Sequence, residues 1–157
     1  MNEKTPHGPP EQREKPILEI WVIEDDESVR GPLVDVISAF ALGSRCIGFE
    51  RAEVALRELE KRVSEGNPTP AGIFVDGNLS KDTVGFDLGP LVVEKIRTMQ
   101  RNSEAPFIVA ISSDLNLNNA MIQNGADLIV SKPPKIPLLR DALEKIQKVH
   151  DKIATEE

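Results

Sequence analysis

Five short apolar runs, each followed by a stretch long enough to be a helix, constrain this chain more than any other feature. "ILEIWVI", "RCIGFE", "AGIFVD", "PFIVAIS" and "DLIVS" read as strands, being brief, almost continuously apolar and bounded by polar or turn residues. Between them the spacing changes. The segment through "LVDVISAFAL" has helical periodicity, with Pro32 close to its start, where a missing N–H is tolerated. "AEVALRELEKRVSE" sets Ala52, Ala55, Leu56, Leu59 and Val63 on one stripe, and turn residues in "EGNPTP" end it. "LGPLVVEKIRTMQ" predicts a further helix whose apolar face is Leu88, Leu91, Val92, Ile96 and Met99. A short helix through "LNNAMIQNG" follows, and the last carries Leu139, Leu143, Ile146, Val149 or His150, and Ile153 in register. Strictly alternating strands and helices predict an α/β domain, a five-stranded parallel sheet covered by helices on both faces. In such sheets the working site lies beyond the carboxyl ends of the strands, where the strand order reverses.

The chain of 157 residues has room for one domain with a tail. Residues 1–16 hold four prolines, mixed charges and one large apolar side chain, Met1, too little burial to offset the entropy of ordering. A disordered tail is expected there. The net charge of -7 and the lack of any Lys/Arg cluster beyond pairs such as Lys61-Arg62 exclude a nucleic-acid surface. No run is long enough to span a bilayer, the N-terminus lacks the apolar core of a signal peptide, and the one cysteine cannot form an internal disulfide. A cytoplasmic protein without membrane contact is expected, with Cys46 a small buried hydrophobe of the second strand.

The first strand runs into four acids, Glu24, Asp25, Asp26 and Glu27. Asp26 and Glu27 suit the start of a helix, whose dipole favours negative charge. If the strands are parallel, their ends bring Glu24 and Asp25 together with Asp76, Ser112 and Lys132. Converging carboxylates repel one another, and a hard divalent cation such as Mg2+ removes that cost. A hydroxyl and an ammonium opposite them suit phosphoryl oxygens. Each piece also has an ordinary structural use: Asp76-Gly77-Asn78 as a turn, Ser112-Ser113-Asp114 as a helix cap, Lys132-Pro133 as a strand exit. Their joint placement at the right strand ends favours one site.

In this order the residues resemble the receiver domains of bacterial two-component response regulators, over residues 17 to about 150. The resemblance implies the flavodoxin-like strand order 2-1-3-4-5 and Asp76 as acceptor of a phosphoryl group from a sensor histidine kinase or phosphotransfer protein. It implies Mg2+ held by Glu24, Asp25, Asp76 and the backbone carbonyl of Asn78, with Ser112 and Lys132 binding the phosphoryl group. It implies chemistry limited to self-phosphorylation and dephosphorylation, a domain over 17–155, and signalling to a further protein. With only "DKIATEE" after the last helix, no output domain is expected.

Several positions depart from the family pattern. Ser80 stands where the family has proline, and "SKDTVGFD" is longer than the corresponding loop before Gly89. Ile129 replaces an aromatic three residues before the lysine, and two prolines follow Lys132, so Lys132-Pro133 is a candidate cis peptide. With Ile129 stiff at its first torsion, any switch is expected in the loop after Ser112 and the segment after Asp76, with the fifth strand nearly unmoved. Asn78 and Asp114, small and polar, are expected to admit hydrolytic water and shorten the life of an aspartyl phosphate. Two alternatives remain: a pseudo-receiver that is never phosphorylated, and a haloacid-dehalogenase-type phosphatase suggested by "FVDGNLS". The second would need a nucleophile at Phe74, which has none to offer.

Overall fold

Each apolar run forms a strand: β1 (Glu19–Ile23), β2 (Arg45–Phe49), β3 (Gly72–Asp76), β4 (Phe107–Ser112) and β5 (Leu128–Ser131). The helices between and after them are α1 (Glu27–Phe40), α2 (Ala52–Glu65), α3 (Gly89–Met99), α4 (Leu115–Gln123) and α5 (Ile136–Glu156). This computed structural model describes residues 17–79, 89–100 and 105–156. The tail expected at 1–16, the long segment "SKDTVGFD" with Ser80, and Leu88 of the expected α3 face lie outside the described residues. The strands form one parallel sheet in the order β2-β1-β3-β4-β5, as expected from the resemblance. Among the described residues, no helix is long and apolar enough to cross a membrane.

Because side chains alternate across a strand, the apolar runs feed two cores. Trp21, Ile23, Ile73, Val75, Ile108 and Ala110 pack with residues of α2, α3 and α4. On the other face Ile20, Val22, Phe74, Val109, Ile111 and Val130 pack with Leu33 and Ile37 of α1 and Leu139, Leu143 and Ile146 of α5. Phe74 is wholly buried, which removes the phosphatase reading's nucleophile position from any solvent or substrate.

Two expectations need correcting. The buried face of α3 is Val92, Val93 and Ile96, with Leu91 only half-buried, because Val93 and not Leu91 turns toward the sheet. Cys46 is half-buried and not fully enclosed, since β2 is an edge strand whose residues are exposed or intermediate throughout. Burial nevertheless pushes its thiol up to about 12.

Candidate functional site

The sheet order puts β1 beside β3, so their carboxyl ends deliver neighbouring acids. Glu24 extends the ladder past β1, its N–H donating to Phe49 O at 3.0 Å, and this aims its side chain over the sheet edge, where it is 2% exposed. The chain then leaves the sheet because Asp26 caps α1, accepting from Ser28 N at 2.9 Å and Ser28 Oγ at 2.6 Å. Those bonds hold the Asp26 carboxyl below its usual range and commit it to the helix start, as the sequence suggests. Asp25, half-buried, stays beside Glu24.

Asp76 ends β3 and is 3% exposed. Its Oδ1 accepts from Asn78 N at 3.2 Å and from Lys132 Nζ at 2.9 Å. The same ammonium reaches Glu24 Oε2 at 2.8 Å. Glu24, Asp25 and Asp76 each offer an oxygen within 4.8 Å of the others. Burial drives the Glu24 carboxyl up to about 7; the Lys132 hydrogen bond opposes this, and the nearby Asp76 charge adds to it. For Lys132, burial works against the charged form, but hydrogen bonds to Glu24 and Asp76 outweigh it and its value is raised. One ammonium thus bridges two carboxylates nearly sealed from water, Glu24 and Asp76, and a third, Asp25, offers an oxygen within 4.8 Å of both. That donor set fits a hard divalent cation, which prefers a few carboxylate oxygens and keeps open positions for water or phosphate. Asn78 is exposed beside the acceptor, and its N–H holds the turn after β3.

Close approach sets the rest of the site. A Cβ on Gly89 would lie 2.4 Å from Asp76 O, so only glycine lets α3 begin against the acceptor's own backbone. Gly77 faces Ser112, where a Cβ would meet Ser112 Cβ at 2.9 Å and Oγ at 3.0 Å. Ser112 is 1% exposed, and its Oγ accepts from Asp114 N at 3.0 Å. Asp114 in turn caps α4, accepting from Asn116 N at 2.9 Å and Leu117 N at 3.3 Å. The helix cap of this segment thus falls on Asp114, while the Ser112 side chain stays at the end of β4. The Lys132-Pro133 peptide is cis, as expected, and so is Ala105-Pro106.

Sequence reasoning missed Asn118. This α4 side chain is 2% exposed, donates from Nδ2 to Ser112 O at 2.9 Å, and has an Oδ1 with no partner. Its signal was a polar residue at the core-facing register of a helix, three positions before buried Met121. Arg30 was missed as well; its Nη1 donates to Glu24 O at 2.8 Å and braces the turn from below.

No protein-family model matches the sequence, and no curated protein matches it. Solved structures do. The N-terminal domain of an uncharacterized protein from Wolinella succinogenes superposes with a TM-score of 0.66 at 23% identity, covering 88% of this chain and 98% of that one. A CheY-like response regulator receiver domain from Methylobacillus flagellatus gives 0.66 at 19% identity over 83% and 99%. Chemotaxis protein CheY4 of Vibrio cholerae gives 0.65 at 17% identity over 83% and 99%. The chain has the flavodoxin-like fold of receiver domains, and the likeness spans most of its length.

Proposed function

We propose that this chain is a phosphorylated signalling module in a two-component system, in which Asp76 accepts a phosphoryl group from a phosphohistidine on a sensor kinase or phosphotransfer protein. The reading rests on one observation above the others. Two carboxylates at adjacent strand ends, Glu24 and Asp76, are almost wholly buried, lie together with Asp25, and face a single ammonium. A fold gains nothing in stability from burying unneutralised acids, so the arrangement is retained for what it binds.

In this reading Glu24, Asp25, Asp76 and the Asn78 carbonyl would hold Mg2+, which would offset the charge between the acids and the incoming phosphoryl oxygens. Asp76 attacks phosphorus with a carboxylate oxygen, the bond from phosphorus to the donor imidazole breaks, and the imidazole leaves with that electron pair. The Lys132 ammonium, already on Asp76 Oδ1, transfers its contact to a phosphoryl oxygen. The Ser112 hydroxyl donates a second hydrogen bond there. The group leaves again by attack of water, and Asn78 and Asp114, both exposed beside the site, line its approach. An apolar groove lined by Val29, Pro32, Pro133 and Ile136 opens next to Lys132 and offers a phosphodonor a surface beside the acceptor.

The experiment is intact-mass measurement after incubation with Mg2+ and acetyl phosphate. One added phosphoryl group is expected on the wild type, none on Asp76→Asn and none in excess chelator. An unlabelled wild type would overturn the reading in favour of an unphosphorylated interaction module, and equal labelling of Asp76→Asn would move the acceptor elsewhere.

A further inference from the structure

Asn118 carries a buried polar atom that the resting structure does not use. Its Nδ2 is satisfied by Ser112 O at 2.9 Å, while Oδ1 lies sealed from water without a donor. Such an oxygen in a native core needs an explanation, because an unmade buried hydrogen bond costs folding free energy that an apolar side chain would avoid. Helical side chains lean toward the helix N-terminus, so the Asn118 amide lies over the turn that starts at Asp114, whose carbonyl accepts from Asn118 N at 3.0 Å. At that turn one N–H depends on the residue the phosphoryl group recruits: Asp114 N donates to Ser112 Oγ. When the Ser112 hydroxyl turns toward Asp76, that N–H loses its acceptor.

We propose that Asn118 is a positioning residue whose idle Oδ1 takes over the Asp114 N–H when the Ser112 hydroxyl leaves it. Asn118 then holds Ser112 through its carbonyl and the α4 cap through its amide, whichever way the hydroxyl points. The exchange of one acceptor for another gives the β4–α4 turn two closed arrangements of similar stability, which is the condition for a small signal to choose between them. The phosphoryl trigger belongs to the proposed function, but the exchange of acceptors does not need it.

Hydrogen exchange of the Asp114 amide, read by NMR without any phosphodonor, tests the redundancy directly. Ser112→Ala alone should leave that amide within about twofold of the wild-type rate, because Oδ1 accepts its hydrogen bond, and Asn118→Leu alone should do the same, because Ser112 Oγ remains. The double variant should exchange about tenfold faster. Asn118→Ala serves equally if the leucine is not tolerated. A merely structural asparagine would give additive effects, and an Asp114 amide fully exposed in Ser112→Ala overturns the inference without reference to Asn118 variants. In a second arm with Mg2+ and beryllofluoride, wild type should keep the amide protected and Asn118→Leu should lose it. A wild type that binds no beryllofluoride overturns the phosphoacceptor reading, and the first arm still decides the role of Asn118.

Discussion

Lowering the pH from about 8 to about 6 should weaken Mg2+ binding about tenfold, because the cation must compete with a proton on Glu24. The size of the effect follows from burial. Sealed from water beside the Asp76 charge, the Glu24 carboxyl titrates near 7 and not at its usual 4.5. With that value, about nine-tenths of the molecules carry the carboxylate at about pH 8 and about one-tenth at about pH 6, and affinity scales with that fraction. The sign for the metal-free protein is opposite. A raised carboxyl contributes stability that is complete below its unfolded value of 4.5 and is lost as the pH rises through about 7, so the metal-free fold loses stability where the metal-bound form gains. Isothermal titration calorimetry at constant ionic strength, repeated in buffers of different ionisation heat, reads both the dissociation constant and the protons released, about half a proton per ion near neutrality. Glu24→Gln keeps an acceptor for the Asp26 N–H but cannot titrate, so its weaker binding should be flat between those pH values. A wild-type constant unchanged within about twofold, or a slope that survives in Glu24→Gln, would refute the assignment of the proton to Glu24.

Replacing Asp114 with alanine removes both N-cap bonds to Asn116 N and Leu117 N and should cost about 1 kcal/mol in urea unfolding; an unchanged midpoint would show that the cap contributes nothing. Gly89→Ala sets a methyl against the Asp76 carbonyl at 2.4 Å, and a loss above about 2 kcal/mol together with impaired labelling of Asp76 is expected, whereas wild-type stability would contradict the close approach. Arg62→Ala removes the guanidinium 5.2 Å above Trp21 and 2.6 Å from Glu19 Oε2, so emission from the sole tryptophan should shift to the red; an unmoved spectrum would count against that cover. With its thiol at about 12, Cys46 carries about a thousandfold less thiolate near pH 8 than a free thiol in a flexible peptide, and because a more basic thiolate is more nucleophilic it should react with iodoacetamide about a hundredfold more slowly; comparable rates would mean the site opens.

The sheet was legible because each strand is a closed apolar run, and because a parallel order fixes which strand ends meet. Glu24, Asp25, Asp76, Ser112 and Lys132 come from four different strand ends, and topology alone gathers them. What periodicity blurs is phase. Leu91 and Val93 flank Val92 and both fit a helical stripe loosely; the packing of α3 on the sheet chose Val93. Edge position is equally silent in a short run such as "RCIGFE", which is why Cys46 is less enclosed than expected. Energetic detail was not legible either. That one ammonium would bridge Glu24 and Asp76, and that Glu24 would titrate near 7, depend on burial that no local spacing encodes.

If Asp76 is phosphorylated as proposed, the same geometry bears on how a chain with Ile129 on β5 would report it. Ile129 is half-buried against the core beneath α2, α3 and α4, and a β-branched side chain there has little torsional freedom and no polar tip with which to prefer one environment. Ser112 O has two donors. Lys132 N, on the β5 side, is 3.4 Å away, and Asn118 Nδ2, on α4, is 2.9 Å away. The shorter, buried contact is the stronger hydrogen bond, so a displacement of Ser112 is expected to reach α4 before β5. A switch moves only as far as its differential contacts allow, and the proposed one would therefore draw on the β4–α4 turn.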